Sequence, residues 1–342
     1  MGRLHLVRSL IILTFVTGIG FATQQAVAAQ APFFADWAVA GKPYSIAVQA
    51  PGLVWATLPD DNALVRLQVS DLGTATPTTF VLPKPNSEPY DVAFAGGAVW
   101  FTERLGNRIG RLDPASGAIT EFPVPVAGSQ PTGLAVAPGS PTRVWFAERN
   151  GNALGRLTIT DSVTFDFFEY PLGLPNARPE SVATDGTNVW FTAPGLGRLF
   201  FLAPAANPYG IGAGAGSQPW AVTVDASGFP WITERTTNRV AIYLPSTLAD
   251  FRWFTPPTAN SDPYDIATMG GKTAFVERLG DRLALLDTRT GRIHEYGVPG
   301  AGPTSLAFDA NRCVWVAENA KLKIGRWCPP YFNLVYLPLL RR

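Results

Sequence analysis

The sequence predicts an all-β fold: a seven-bladed β-propeller of four-stranded antiparallel blades, its ring closed by an N-terminal strand. Three observations predict it. A proline-led unit recurs seven times, an aromatic residue follows each proline at a near-constant distance, and four short apolar runs divided by turn residues fill each unit. A four-stranded unit of roughly 40–50 residues is what a propeller blade requires.

The prolines are Pro43, Pro89, Pro131, Pro179, Pro219, Pro263 and Pro303, in steps of 46, 42, 48, 40, 44 and 40 residues. The aromatics are Trp55, Trp100, Trp145, Trp190, Trp231, Phe275 and Trp315, each 11 to 14 residues beyond its proline. The second unit shows the pattern in full. Pro89-Tyr90-Asp91-Val92-Ala93-Phe94 makes the first strand, Gly96-Gly97 the turn and Val99-Trp100-Phe101-Thr102-Glu103 the second strand. Arg108-Ile109-Gly110-Arg111-Leu112 and Ile119-Thr120-Glu121-Phe122-Pro123 supply the third and fourth. Val99-Trp100-Phe101 is continuously apolar because a blade buries both faces against its neighbours. No segment sustains the 3.6-residue period of a helix.

Closing the ring removes exposed sheet edges. Phe33 to Val39 sits where an outer strand precedes the first repeat proline, and it is expected to complete the seventh blade. Leu334 to Leu339 also resembles an outer strand, which gives eight outer strands for seven blades. The tail, 331–342, is therefore placed outside the regular pattern, along a blade edge or as an address read by a partner.

The first 28 residues read as an export signal. Arg3 and Arg8 form the basic start, Leu10 to Ala22 the apolar stretch, and Ala26-Val27-Ala28 the small-residue cleavage pattern. The domain organisation is then a signal peptide over 1–28, a propeller over 29–330 and the tail. The apolar stretch is short for a spanning helix, and no second one follows, so no membrane span is expected after signal removal. The localisation expected is secreted or periplasmic. Cys313 and Cys328 flank two consecutive strands of the last repeat. Export favours a disulfide between them; two buried thiols are the other reading.

Hydrophobic residues make up 46% and charged residues 15% of the chain, which suits a large core and not a disordered segment. Without the signal, 25 basic face 26 acidic residues. Such a balance, with no basic run, gives nucleic acid no electrostatic footing. A closed ring has no obligatory interface, so a monomer is expected.

The start of the first strand and the end of the second lie at the same end of a hairpin. All seven blades therefore bring these points to one face, around the central channel. The residues after the prolines are Tyr44, Tyr90, Thr132, Glu180, Trp220, Tyr264 and Thr304. They vary while the scaffold repeats, as a ligand-binding face would; rings that merely plug the channel are the alternative. Glu103, Glu148, Glu234, Glu277 and Glu318 end the second strand in five blades. Recurrence favours a role that each blade needs, ion pairing and hydrogen bonding, over a metal-binding ring.

Val-Trp-Phe-Thr-Glu at 99–103, Gly-Asn-Arg-Ile-Gly-Arg-Leu at 106–112 and Glu-Phe-Pro-Val-Pro at 121–125 resemble the streptogramin B lyase (virginiamycin B lyase) family. The resemblance covers about residues 33–328. It implies elimination chemistry on a cyclic depsipeptide, with a histidine base and a magnesium ion held by acids. The family's two histidine positions carry Tyr264 and Thr304 here, and an acid position carries Gly302. Tyr44 matches a family tyrosine, and Glu318 corresponds to a strand-end acid.

Elimination needs a base that titrates near neutrality. His294, the one histidine beyond the signal, falls on an outer strand and reads as a surface residue. The expected function is thus a secreted binding module for a small molecule or peptide, with no catalytic residue assigned. A divergent metal-dependent lyase or a lactone hydrolase is the alternative, with Mg or Ca recruited by Glu180 or Glu318. A structural role through the tail is a third reading.

Overall fold

Each repeat folds as one four-stranded antiparallel sheet, and seven such sheets close a ring. The computed structural model describes residues 33–70, 73–161, 164–204, 206–214, 216–245 and 250–328. The expected signal peptide and the tail lie outside the described residues.

Blade 1 spans 46–81, blade 2 89–123, blade 3 131–171, blade 4 182–212, blade 5 219–254 and blade 6 263–297. Blade 7 takes three strands from 303–328 and its outer strand from Phe33–Ala38. That strand runs antiparallel to Lys323–Cys328, with Phe33 opposite Cys328 and Ala38 opposite Lys323. Trp37 stacks on Trp315 with ring centroids 5.7 Å apart. The N-terminal strand closes the ring, as its apolar sequence predicts.

The core is divided among the seams. Among the described residues seven apolar clusters occur, one between each pair of neighbouring blades. Val99 and Phe101 face the seam toward blade 1, while Trp100 faces the seam toward blade 3. Both faces of the second strand are thus buried, which is why its apolar run does not alternate. Close approach sets one glycine. A Cβ at Gly110, beside Phe101 on the neighbouring strand, would lie 2.0 Å from the ring's Cζ.

Cys313 and Cys328 form a disulfide across the hairpin that ends blade 7. A cross-link over 15 residues restricts the unfolded chain by about 3 kcal/mol. Replacing both by serine is expected to lower unfolding free energy by about 2–3 kcal/mol, read from denaturant titrations.

Candidate functional site

The repeat proline starts the inner strand, and the residue before it sets the approach. Glu88, Gln130, Arg178, Asp262 and Gly302 all hold left-handed backbone, with φ between 49° and 60°. The carbonyls of Glu88, Gln130, Gln218 and Asp262 accept the backbone N–H of Arg104, Arg149, Arg235 and Arg278. This bond pins the arginine that follows the strand-end glutamate in four blades. The glutamate and the arginine then part company.

The glutamates turn into the blades. Glu103, Glu148, Glu234, Glu277 and Glu318 are fully buried. Ser87, Ser129, Ser217 and Ser261, two residues before the repeat proline, lie beside the first four, but Ser87 donates to the Lys84 carbonyl and Ser129 and Ser261 to Asn107 and Asn238. Against the expected hydrogen bonding, both carboxylate oxygens of Glu103, Glu148 and Glu277 therefore lack a hydrogen-bond partner among the described residues. Only at Glu234 does the contact close into a full hydrogen bond, with Thr237 donating a second at 2.8 Å. Blades 1 and 4 lose both partners together, with Gly41 and Leu58 in one and Ala177 and Ala193 in the other. Blade 7 has Ala301, and Lys321 pairs with Glu318 at 3.3 Å instead. This joint variation marks a serine–glutamate pairing in four of the seven blades. Burial pushes Glu103, Glu148 and Glu277 up to about 7 and raises Glu234 and Glu318 above the usual carboxylate range.

The arginines turn to the channel mouth. Arg104 lies over Tyr90 at 4.7 Å, Arg235 over Trp220 at 4.4 Å and Arg278 over Tyr264 at 4.4 Å. Each also holds a carboxylate: Arg104 pairs with Glu88, Arg149 with Glu180, and Arg235 and Arg278 share Asp262. Stacking plus a carboxylate fork is what a guanidinium does and an ammonium does not.

Inside this crown the residues after the prolines converge on the channel. The Tyr90 hydroxyl donates to Glu180 at 2.5 Å, and the Tyr44 hydroxyl donates to Tyr90 at 2.7 Å. Tyr44 and Tyr264 hydroxyls meet at 2.6 Å. A phenol has one proton to give, and that of Tyr44 goes to Tyr90, so Tyr264 must be the donor to Tyr44. Every proton in the chain points toward Glu180. Burial raises Tyr44 and Tyr90 well above 10 and also raises Tyr264. Thr304 donates to the Tyr44 carbonyl at 2.7 Å, and Thr132 to the Pro179 carbonyl at 3.2 Å. Trp220 tilts against Tyr264 at 5.5 Å.

The network fills the channel. Tyr90, Tyr264 and Glu180 are buried. Beneath them lies a cavity of only 70 Å³, which reaches Asp91 and Asp265. Ligand sites run to roughly 300–1,000 Å³. Asp91 accepts from Ser45 of blade 1 and from Leu134 N–H of blade 3, and Asp265 from Ser305 and Leu306 of blade 7. These second-layer acids tie neighbouring blades together. Above the plug, a cleft of 310 Å³ opens between Lys42, Tyr44, Asp60, Glu88, Arg104 and Asn319. The mouth, not the channel, has room for a ligand.

Sequence reasoning did not place the arginine crown, although the Glu-Arg pair in four blades was its signal. Nor did it find the tying role of Asp91 and Asp265, which the repeated Pro-Tyr-Asp of blades 2 and 6 foreshadows. His294 lies exposed on the outer strand Arg292–Gly297.

The magnesium that the family resemblance implies needs several hard oxygen donors turned to one point. Among the described residues no group of three or more His, Cys, Asp or Glu is so placed. Glu88, Glu180 and Asp262 are already engaged by arginines, and Glu318 lies against Gly325, inside its blade. This donor set does not fit a magnesium or calcium ion.

The fold and site together define a closed propeller with an aromatic plug and a guanidinium-lined mouth. Residues 24–286 match the model of the virginiamycin B lyase family, and the chain belongs to that family. A virginiamycin B lyase from Nocardia farcinica is 35% identical over 101 residues, 30% of this chain and 34% of that protein. The chain thus aligns with about a third of the length of that curated relative. The crystal structure of virginiamycin B lyase from Staphylococcus aureus superposes with a TM-score of 0.76 at 26% identity, covering 87% of this chain and 99% of that one. A catalytically inactive form of the Staphylococcus aureus enzyme with quinupristin gives 0.75 at 24% identity, covering 87% and 99%.

Proposed function

We propose that the chain is an exported binding module that holds a small molecule or peptide at the channel mouth and lacks the turnover of the streptogramin lyases. The observation that carries this is the state of the two positions where the resemblance puts histidines. Tyr264 gives its proton to Tyr44, and burial holds that proton more tightly still. Thr304 is committed to a backbone carbonyl. Neither can accept a substrate proton near neutrality.

Binding suits what remains. The mouth offers stacked guanidiniums, phenol and indole rings, and a cleft of 310 Å³ beside Arg104. Such a surface takes amphipathic ligands with hydrogen-bond acceptors. The disulfide suits an oxidising compartment. Among the described residues no helix is long and apolar enough to cross a membrane.

The test is incubation of residues 29–342 with quinupristin and magnesium, followed by chromatography and fragmentation, because elimination leaves the mass unchanged. The expected result is an intact ring and a raised melting temperature, the rise being lost in Arg104→Gln. A linear product that disappears in Tyr264→Phe would instead make the protein a divergent lyase. No product and no shift would remove cyclic depsipeptides from its ligands.

A further inference from the structure

The mouth is not the largest opening in the molecule. A cavity of 370 Å³ lies between blades 3 and 4, at the end of the blades away from the mouth. It exists because blade 4 is short. Its inner and outer strands, Val182–Thr184 and Tyr209–Gly212, have three and four residues, while the four strands of blade 3 have seven each. The outer half of blade 3 is therefore only partly covered there: Arg156 and Tyr170 are half-buried, over a buried Trp145.

That face carries a device the blades repeat, a third-strand arginine packed on the second-strand tryptophan, as in Arg66 on Trp55, Arg111 on Trp100 and Arg326 on Trp315. Arg156 lies 5.6 Å from the Trp145 ring, 5.3 Å from Phe168 and 5.9 Å from Tyr170, and donates to the Tyr170 hydroxyl at 3.1 Å. Its buried Nε has no hydrogen-bond partner. Arg108, Arg282 and Arg326 share that feature, but each has a carboxylate within 4 Å: Glu121, Glu295 and Asp309 respectively. Arg156 forms no ion pair among the described residues. The side chain of Arg143, exposed at the rim, has neither ion pair nor hydrogen bond among them. The lining contains no acid. Elsewhere in this chain the Nε edge of Arg104 and of Arg235 is filled by Glu88 and Asp262. Here the guanidiniums and the aromatic wall are present and the carboxylate is missing.

We propose that this cavity is a second ligand site, which takes a carboxylate carrying an aromatic body. The carboxylate pairs with Arg156 and Arg143. The body lies along Trp145 and Tyr170, over the apolar floor of Val189 and Leu202. The volume falls in the range of small-molecule sites. A guanidinium pair in an aromatic wall selects a planar anion over its neutral analogue, because the neutral form leaves the charges unmatched.

The probe is N-acetyl-phenylalanine against its amide, both read by ligand-observed NMR and by titration calorimetry. The acid is expected to bind at least tenfold more tightly than the amide, a difference of about 1.4 kcal/mol. Arg143→Gln, which breaks no contact in the fold, is expected to weaken the acid roughly tenfold and leave the amide unchanged. Arg156→Lys keeps the charge but not the fork, and should weaken it by a similar factor. Arg104→Gln at the mouth should do nothing. Equal binding of acid and amide, insensitivity to both cavity variants, or no binding of the acid up to roughly 10 mM would each overturn the proposal.

Discussion

Deletion of residues 1–39 is expected to abolish cooperative folding, while deletion of 1–28 leaves the melting temperature unchanged. The longer deletion removes the outer strand of blade 7 and exposes the edge of Lys323–Cys328. It also removes Trp37 from Trp315, the Asp36–Lys323 ion pair and the bond from Val39 N–H to the Leu322 carbonyl. Burial of a large aromatic contributes about 2–3 kcal/mol and each ladder hydrogen bond about 1 kcal/mol net. The sum is on the order of 5 kcal/mol, comparable to the whole net stability of many domains. The shortened blade also presents the unpaired edge of Lys323–Cys328, so aggregation should accompany the loss. Circular dichroism melts and size-exclusion profiles decide the matter. Unchanged melting after removal of 1–39 would show that another segment closes the ring.

Stability should fall as pH rises from 5 to 8. Glu103, Glu148 and Glu277 are carboxyls of ordinary value 4.5, pushed up to about 7 by burial. Between those values the folded chain holds protons that the unfolded chain has released, so raising the pH favours unfolding. Their contribution is complete below about 4.5 and is lost as pH climbs through 7. Asp265, pushed up to about 6, acts in the same direction. One pK unit is worth about 1.4 kcal/mol, so each glutamate is worth roughly 3 kcal/mol at most. Even half of that, summed over three, lowers the melting temperature by about 7 °C. The triple variant Glu103→Gln, Glu148→Gln, Glu277→Gln is expected to flatten the profile. A wild-type melting temperature that stays level or climbs over this range would refute the assignment. Asp113, Asp185 and Asp287 are held below the usual range by hydrogen bonds and, at Asp287, by Lys272. Their stabilisation is lost only in stronger acid, which places the optimum in the mildly acidic range.

The two expectations separate what is written in the chain from what is not. The fold is local information repeated. Proline, turn glycines and a continuously apolar second strand recur seven times, and each repeat specifies one sheet. The closing strand was legible for the same reason, since Phe33 to Val39 continues the pattern one strand before the first proline. The pairing of Cys313 with Cys328 followed from two adjacent strands.

The face of the ring was legible too, because hairpin geometry fixes which residues reach the channel. What those residues do there was not. Whether seven side chains leave a pocket or close it depends on ring-to-ring distances across the axis, between residues as far apart in sequence as Tyr44 and Tyr264. The fate of the Glu-Arg pairs was hidden for a related reason. The glutamate is the last residue of its strand and the arginine the first of the turn beyond it, so the glutamate enters the blade while the arginine meets the mouth. The cavity between blades 3 and 4 has no mark in any single repeat. It arises from a mismatch in strand length between two blades, and only their packing shows that Arg143 stays exposed and Arg156 and Tyr170 half-exposed beside a cavity. Repetition fixed the scaffold residue by residue; the sites depend on contacts between repeats, which a periodic sequence does not spell out.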